Sequence, residues 1–136
     1  MILVDTGPLV ALFDPKEALH ASCRKTLSEV RQSMVTTLPV LTEAFHILAP
    51  ESRGSDALRS FIAEGGMGIH FGSHEEALRA FELMDTYRDH PMDLADASVI
   101  ASAESLGTRR VFTLDRNDFE TYRIKRGHRL YPVEII

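Results

Sequence analysis

The chain has 136 residues, of which 44% are hydrophobic and 26% charged, the balance of one ordinary globular domain spanning 1–136. No apolar run reaches the roughly 18 residues a membrane span needs, no signal-like opening segment is present, and Cys23 is alone, so a reducing, cytoplasmic setting without a membrane partner is expected. A net charge of −5 is the wrong sign for a simple nucleic-acid binder; yet residues 109–129 hold seven bases against three acids, a +4 segment in a chain otherwise at −9.

The apolar run Ile2–Val4 reads as a buried strand. Asp5 ends it, and Thr6, Gly7 and Pro8 open a helix to Phe13 with Thr6 as its N-cap. Asp14-Pro15 breaks that helix. Glu17 to Gln32 reads as a second helix, with Leu19, Cys23, Leu27 and Val30 on one face. The β-branched stretch Met34–Thr37 is a second strand, and Leu38-Pro39 starts a helix to Ala49 with Val40, Ala44, Ile47 and Leu48 inward and Glu43 beside them. Ser55–Ala63 is a further helix, stopped by Gly65-Gly66. Gly68–Phe71 is a third strand. Ser73 with Glu76 makes a capping box for a helix to about Tyr87, with Ala77, Leu78, Phe81 and Met84 inward.

The segment after Met92-Asp93, from Leu94 to Leu106, is apolar nearly all round, as a buried helix should be, and Gly107 supplies its stop. Arg110–Leu114 is a fourth strand. Asp115 ends it and caps a short helix to Tyr122; Gly127 makes a turn, and Leu130–Ile136 holds a last strand edged by Pro132. Alternation of strands and helices implies an α/β fold: a three-layer α/β/α sandwich with a mostly parallel central sheet.

Parallel strands end on one side of a sheet, and ligands bind there. Asp5 and Asp115 each follow a strand, Glu43 is early in the helix after the second strand, and Asp96 is in the first turn of the buried helix. All four therefore face one rim. Two carboxylates about 5 Å apart repel by about 3 kcal/mol at an effective dielectric near 20, so such a cluster calls for a hard divalent cation. Mg²⁺, with Mn²⁺ as a substitute, suits an all-oxygen donor set; zinc does not, because no two histidines are spaced as ligands on one helix face. Asp93, three residues before Asp96, is either an N-cap or a further ligand, and Asp118 either supports Asp115 or favours a helix N-terminus. Arg110, Arg116, Arg123, Lys125 and Arg126 are candidates for gripping a phosphate backbone.

Val4-Asp5-Thr6, Glu43 within Leu41–Phe45, the run Asp96–Ala103, and Thr113-Leu-Asp115 followed by Asp118-Phe119 together resemble the PIN-domain family, most closely its VapC-type toxin ribonucleases. The resemblance implies a PIN-like fold and an acidic quartet of Asp5, Glu43, Asp96 and Asp115 holding Mg²⁺. Thr6 and Thr113 would be supporting hydroxyls. The implied activity is endoribonuclease cleavage of RNA to 5′-phosphate and 3′-hydroxyl ends. The implied setting is a type II toxin–antitoxin pair with a small VapB-like antitoxin whose tail covers the pocket, and a toxin homodimer. Leu114 departs from the family, whose members commonly carry Arg or Asn there. The alternative is a non-catalytic PIN-like module that binds RNA or protein. A phosphoacceptor receiver domain ranks last, because the third strand ends in Phe71-Gly72 rather than in an acid.

Overall fold

The structure, a computed structural model, describes all residues from Met1 to Ile136. Strand β1 (Ile2–Val4) is followed by α1 (Thr6–Phe13), α2 (His20–Glu29), β2 (Met34–Thr37), α3 (Leu38–Leu48), α4 (Arg53–Ala63) and β3 (Gly68–His70). Then come α5 (His74–Thr86), α6 (Leu94–Leu106), β4 (Arg110–Phe112), α7 (Arg116–Thr121), β5 (Arg123–Arg126), β6 (Arg129–Pro132) and β7 (Glu134–Ile135). Five strands form one sheet in the order β3-β2-β1-β4-β7, every pair parallel. This is the α/β architecture expected from alternation, with helices shielding a parallel sheet.

The central place of β1 explains its composition. Ile2, Leu3 and Val4 are all buried, because neighbouring strands flank β1 on both edges and helices cover both faces. Leu3 stands opposite Val35 of β2 and Val111 of β4. Thr36 keeps its buried hydroxyl satisfied by donating to the Val4 carbonyl at 2.8 Å. Helix α6 is the core helix the sequence implies: Ala97, Val99, Ile100 and Ala103 are inaccessible, and it packs on α5, α3, β1 and β2. Asp93 caps its start, Oδ1 accepting from the Asp96 amide at 2.8 Å, and Gly107 ends it in the left-handed conformation at φ 69°.

Several local expectations are corrected. The N-cap of α1 is Asp5; Thr6 already lies within the helix, and its hydroxyl has no partner. Helix α2 begins only at His20, and Cys23 is its sole buried residue, because the preceding segment turns at the surface. Helix α4 starts at Arg53, capped by Ser52, whose hydroxyl accepts from the Ser55 amide. On α3, Ile47 is exposed rather than inward. The inward face of α5 is rotated from the expected one: Ala80 and Leu83 are buried, while Leu78 and Phe81 are 47% and 54% exposed. Only half of the expected capping box forms. Ser73 Oγ accepts from the Glu76 amide, but the Glu76 carboxylate is taken by His70 Nε2 at 2.8 Å. The predicted last strand is two, β6 and β7, and β6 pairs with the unforeseen β5 in an antiparallel hairpin turning at Gly127, φ 62°.

Ile100→Ala removes a fully buried side chain from α6 and is expected to cost about 2 to 5 kcal/mol. Urea unfolding followed by circular dichroism measures this; a loss below about 1 kcal/mol would contradict the central packing of α6.

Candidate active site

Where β1, β2 and β4 end, the molecule opens a cleft of about 850 Å³. Asp5 enters it directly from β1 and is only 6% exposed. Thr113, the residue after β4, donates from Oγ1 to Asp5 Oδ2 at 2.8 Å and accepts from the Asp115 amide at 3.0 Å. One hydroxyl thus ties the ends of the two paired strands together and orients both acids. Asp115 is in turn the N-cap of α7, its Oδ1 accepting from the Asp118 amide at 3.2 Å. Glu43 arrives from the second turn of α3, and Asp93 and Asp96 from the start of α6.

The expected convergence is therefore present: Asp5, Glu43, Asp96 and Asp115 line one cleft, together with Asp93, Asp118 and Thr6. Glu17, in the loop before α2, adds a seventh carboxylate, and the lining contains no Lys, Arg or His. Asp93 spends one oxygen on capping Asp96 while still lining the cleft, so the two readings of that residue are compatible. Val10, Ile47, Met92 and Leu114 supply an apolar wall. Leu114 is packed against Gly7, where any Cβ would approach the Leu114 Cβ to 3.3 Å.

Burial and mutual repulsion leave a clear electrostatic mark. Asp5 is raised from an ordinary 3.8 to about 6, chiefly by burial, with Glu43 and Asp93 adding repulsion and Thr113 and the Thr6 amide opposing it. Asp96 is raised to about 7 by burial and then by the charges of Asp93 and Asp5. Asp115 is raised too, by burial first and then by its contact with Asp118.

The donor set is all oxygen, which suits Mg²⁺ or Mn²⁺. The unpartnered, buried Thr6 hydroxyl lies at the same place. No three of the carboxylates are set closely enough to touch one ion together. That spacing is compatible with a cation that keeps several waters and takes only one or two carboxylates directly.

The bases behave differently. Arg110 starts β4, at the far end of the strand from Asp115, with its Nε 4.0 Å from Glu134. Arg126 donates to the Gly107 carbonyl at 2.7 Å, beyond the C-terminal end of α6, and Lys125 is anchored by its amide to Glu104. Asp96 and Gly107 are eleven residues apart, so the Arg126 end of the hairpin lies about 16 Å along the helix from the cleft. Arg123 turns its guanidinium onto the Glu120, Thr121 and Tyr122 carbonyls. Arg116 follows Asp115 in sequence but does not line the cleft; its guanidinium lies 4.0 Å from Glu120 on α7.

Sequence reasoning missed Glu17, His90 and Tyr122. His90 Nε2 pairs with Asp118 Oδ1 at 2.5 Å, and the Tyr122 hydroxyl donates to Asp96 Oδ2 at 3.3 Å. Neither sits in an acidic pattern. The one available signal was Tyr122 as a polar-tipped aromatic closing a short helix whose neighbours are charged.

The fold and the site define an α/β protein whose parallel strands end in one acidic cleft with all-oxygen donors. The chain belongs to the PIN domain family, whose model matches residues 2–125. It is 28% identical over 125 residues to Ribonuclease VapC26 of Mycobacterium tuberculosis, covering 90% of this chain and 92% of that protein. Among solved structures it resembles M. tuberculosis VapC20, described as a toxin cleaving the sarcin–ricin loop, with a TM-score of 0.79 at 18% identity over 87% of this chain and 92% of that one. It also resembles a chain of a toxin–antitoxin complex from Klebsiella pneumoniae, with a TM-score of 0.69 at 21% identity over 89% and 92%.

The raised acids make a signed prediction. Asp5 and Asp96 bind a proton more tightly folded than unfolded, so their contribution to stability is complete below about pH 4 and is lost as pH rises through about 6 to 7. In EDTA the melting temperature should therefore fall between pH 5 and pH 8. Asp5→Asn should be more stable than the parent at pH 8 by about 1 to 3 kcal/mol, measured by urea unfolding. A metal-free parent as stable as the variant at pH 8 would show that Asp5 carries no such burden.

Proposed function

We propose that the chain, acting as one unit over 1–136, is a divalent-metal-dependent endoribonuclease and the toxin of a type II pair, neutralised by a VapB-like antitoxin. The observation that carries this reading is the cleft itself: Asp5, Glu43, Asp96 and Asp115 at one rim, with Asp5 and Asp96 held where their charge is unfavourable unless a cation is near. Membership of the PIN domain family and the likeness to Ribonuclease VapC26 support the same chemistry.

In this reading Asp5, Glu43, Asp96 and Asp115 would hold the ion, Mg²⁺ or Mn²⁺, one or two of them directly and the others through its waters, with Asp93 and Asp118 as flanking acids. When bound, the ion supplies Lewis-acid polarisation of the phosphate and a lowered pKa for the attacking water. The chain's own residues do the rest. Thr113 fixes Asp5 and the start of α7, so that two acids keep their spacing. One carboxylate, Asp96 or Asp115, orients the attacking water. Arg116, next to Asp115 in sequence, is the base we assign to a backbone phosphate.

A cleft lined by seven carboxylates and no base, with Val10, Ile47, Met92 and Leu114 as an apolar wall, matches a partner segment that carries cationic and apolar side chains together. That is the form in which we assign the antitoxin to this site. Self-association is assigned to the exposed apolar residues Phe81 of α5 and Leu94 of α6, which line one pocket. These residues carry no charge, so the face can pair with its own copy, whereas the acidic cleft would repel itself.

Purified protein should cut RNA with Mg²⁺ or Mn²⁺ and stop with EDTA. Asp5→Asn and Asp96→Asn should each lower the rate by about a hundredfold or more, the scale on which a preorganised charge-stabilising group is felt. Both variants should keep the parent's circular dichroism. Undiminished cutting by both variants would remove the enzymatic reading and leave the binding module.

For the paired state, light scattering should give twice the chain mass for the parent and the single mass for Phe81→Glu. A parent that is monomeric at tens of micromolar would refute the assignment of that face.

A further inference from the structure

We propose that Tyr122 is a positioning residue of the acidic cleft, its buried hydroxyl holding Asp96 Oδ2 and leaving Oδ1 as the oxygen available to an ion. The inference rests on the metal-binding reading of the cleft given above.

Tyr122 follows α7 and is wholly buried. Its ring is locked on three sides. Tyr87 packs edge-on at 5.0 Å, Phe119 at 5.2 Å and His90 at 6.1 Å, all steeply inclined to it. Two of these neighbours are themselves pinned: Tyr87 Oη accepts from the Arg123 amide at 2.9 Å, and His90 holds Asp118. A ring fixed in this way delivers its hydroxyl to one place, 3.3 Å from Asp96 Oδ2.

Packing alone does not require that hydroxyl. Phe119 fills a neighbouring, equally buried position with no polar atom, and a buried phenol is retained where its O–H finds a partner. The partner here is a cleft carboxylate. Asp96 is then held at two points, its amide by Asp93 Oδ1 at 2.8 Å and its carboxylate by Tyr122. Groups that orient a ligand in this way typically govern metal affinity by 10- to 100-fold.

The test measures Mn²⁺ binding by electron paramagnetic resonance on the full chain, without RNA. Tyr122→Phe keeps the ring and removes the hydroxyl; its Kd for Mn²⁺ should rise about tenfold or more. Its melting temperature should stay close to that of the parent. Leu58→Ala, a fully buried position on α4 with no contact to the Tyr122 ring, is the control: it should lose stability yet keep the parent's Mn²⁺ affinity. Equal affinity in the parent and Tyr122→Phe would overturn the proposal, as would an equal loss in Leu58→Ala, which would assign the effect to general destabilisation. A parent that binds no Mn²⁺ would instead remove the metal reading beneath it, and is recognised by the parent and Asp5→Asn giving the same free-ion signal.

Discussion

Asp5 is buried at the mouth of a parallel sheet among other acids, and its charge is unfavourable there. Water cannot solvate it well, Glu43 and Asp93 repel it, and the Thr113 hydrogen bond and the nearby Thr6 amide offset only part of that burden. A protein gains nothing in stability from such a group. Uncharged side chains of similar size would fold at least as well, in the same way that buried ion pairs are often replaceable by apolar ones. Groups kept at a cost to the fold are the usual mark of a functional site, and the remainder of the molecule is arranged to bear that cost.

Topology does most of this work. β1 lies in the middle of the sheet with β2 and β4 on its edges, so residues that are distant in the chain emerge side by side. Asp5 follows β1, and Thr113 and Asp115 follow β4. α3 follows β2 without a loop and carries Glu43. α6 runs antiparallel to the strands, so its first turn, with Asp96, begins at the same rim. Register then refines the meeting: Val4 stands opposite Phe112, which brings the next residues, Asp5 and Thr113, within one hydrogen bond.

The same logic explains what was legible in the sequence. Strands β1, β2 and β4 are short apolar or β-branched runs bounded by helix starts, and each side chain that follows them had to share an edge with the others. Glu43, Asp96 and Asp115 were readable because a strand or a capped helix fixes their position along the chain. The face of α5 was not. Leu78 and Phe81 are as apolar as Ala80 and Leu83, and periodicity alone does not say which of two adjacent stripes meets α6. Hairpin β5–β6 was equally hidden, since Arg123–Arg126 is charged on one face and keeps only Ile124 inward. Tyr122 and His90 reach the cleft through tertiary contacts between α7, the loop before α6 and α5, which no local pattern encodes.

Charge along the chain misled in one respect, and the folded arrangement gives the reason a physical use. The +4 segment suggests a basic grip beside the acids. Folding instead sends Lys125 and Arg126 to the far end of α6, pairs Arg109 with Glu134, and turns Arg123 onto backbone carbonyls. The cleft is left with carboxylates as its only charged groups. A phosphodiester approaching such a surface is repelled, and Arg116 by itself does not reverse the sign. In the proposed reaction the cation therefore cannot be an optional accelerator: its two positive charges are what make the rim hospitable to a phosphate at all, so loading the ion comes before, or together with, productive seating of RNA. The same acidic lining, bare of ions, favours a cationic protein segment instead. Under the proposed function, RNA and antitoxin are competitors distinguished by sign, one needing the cation in place and the other able to replace it.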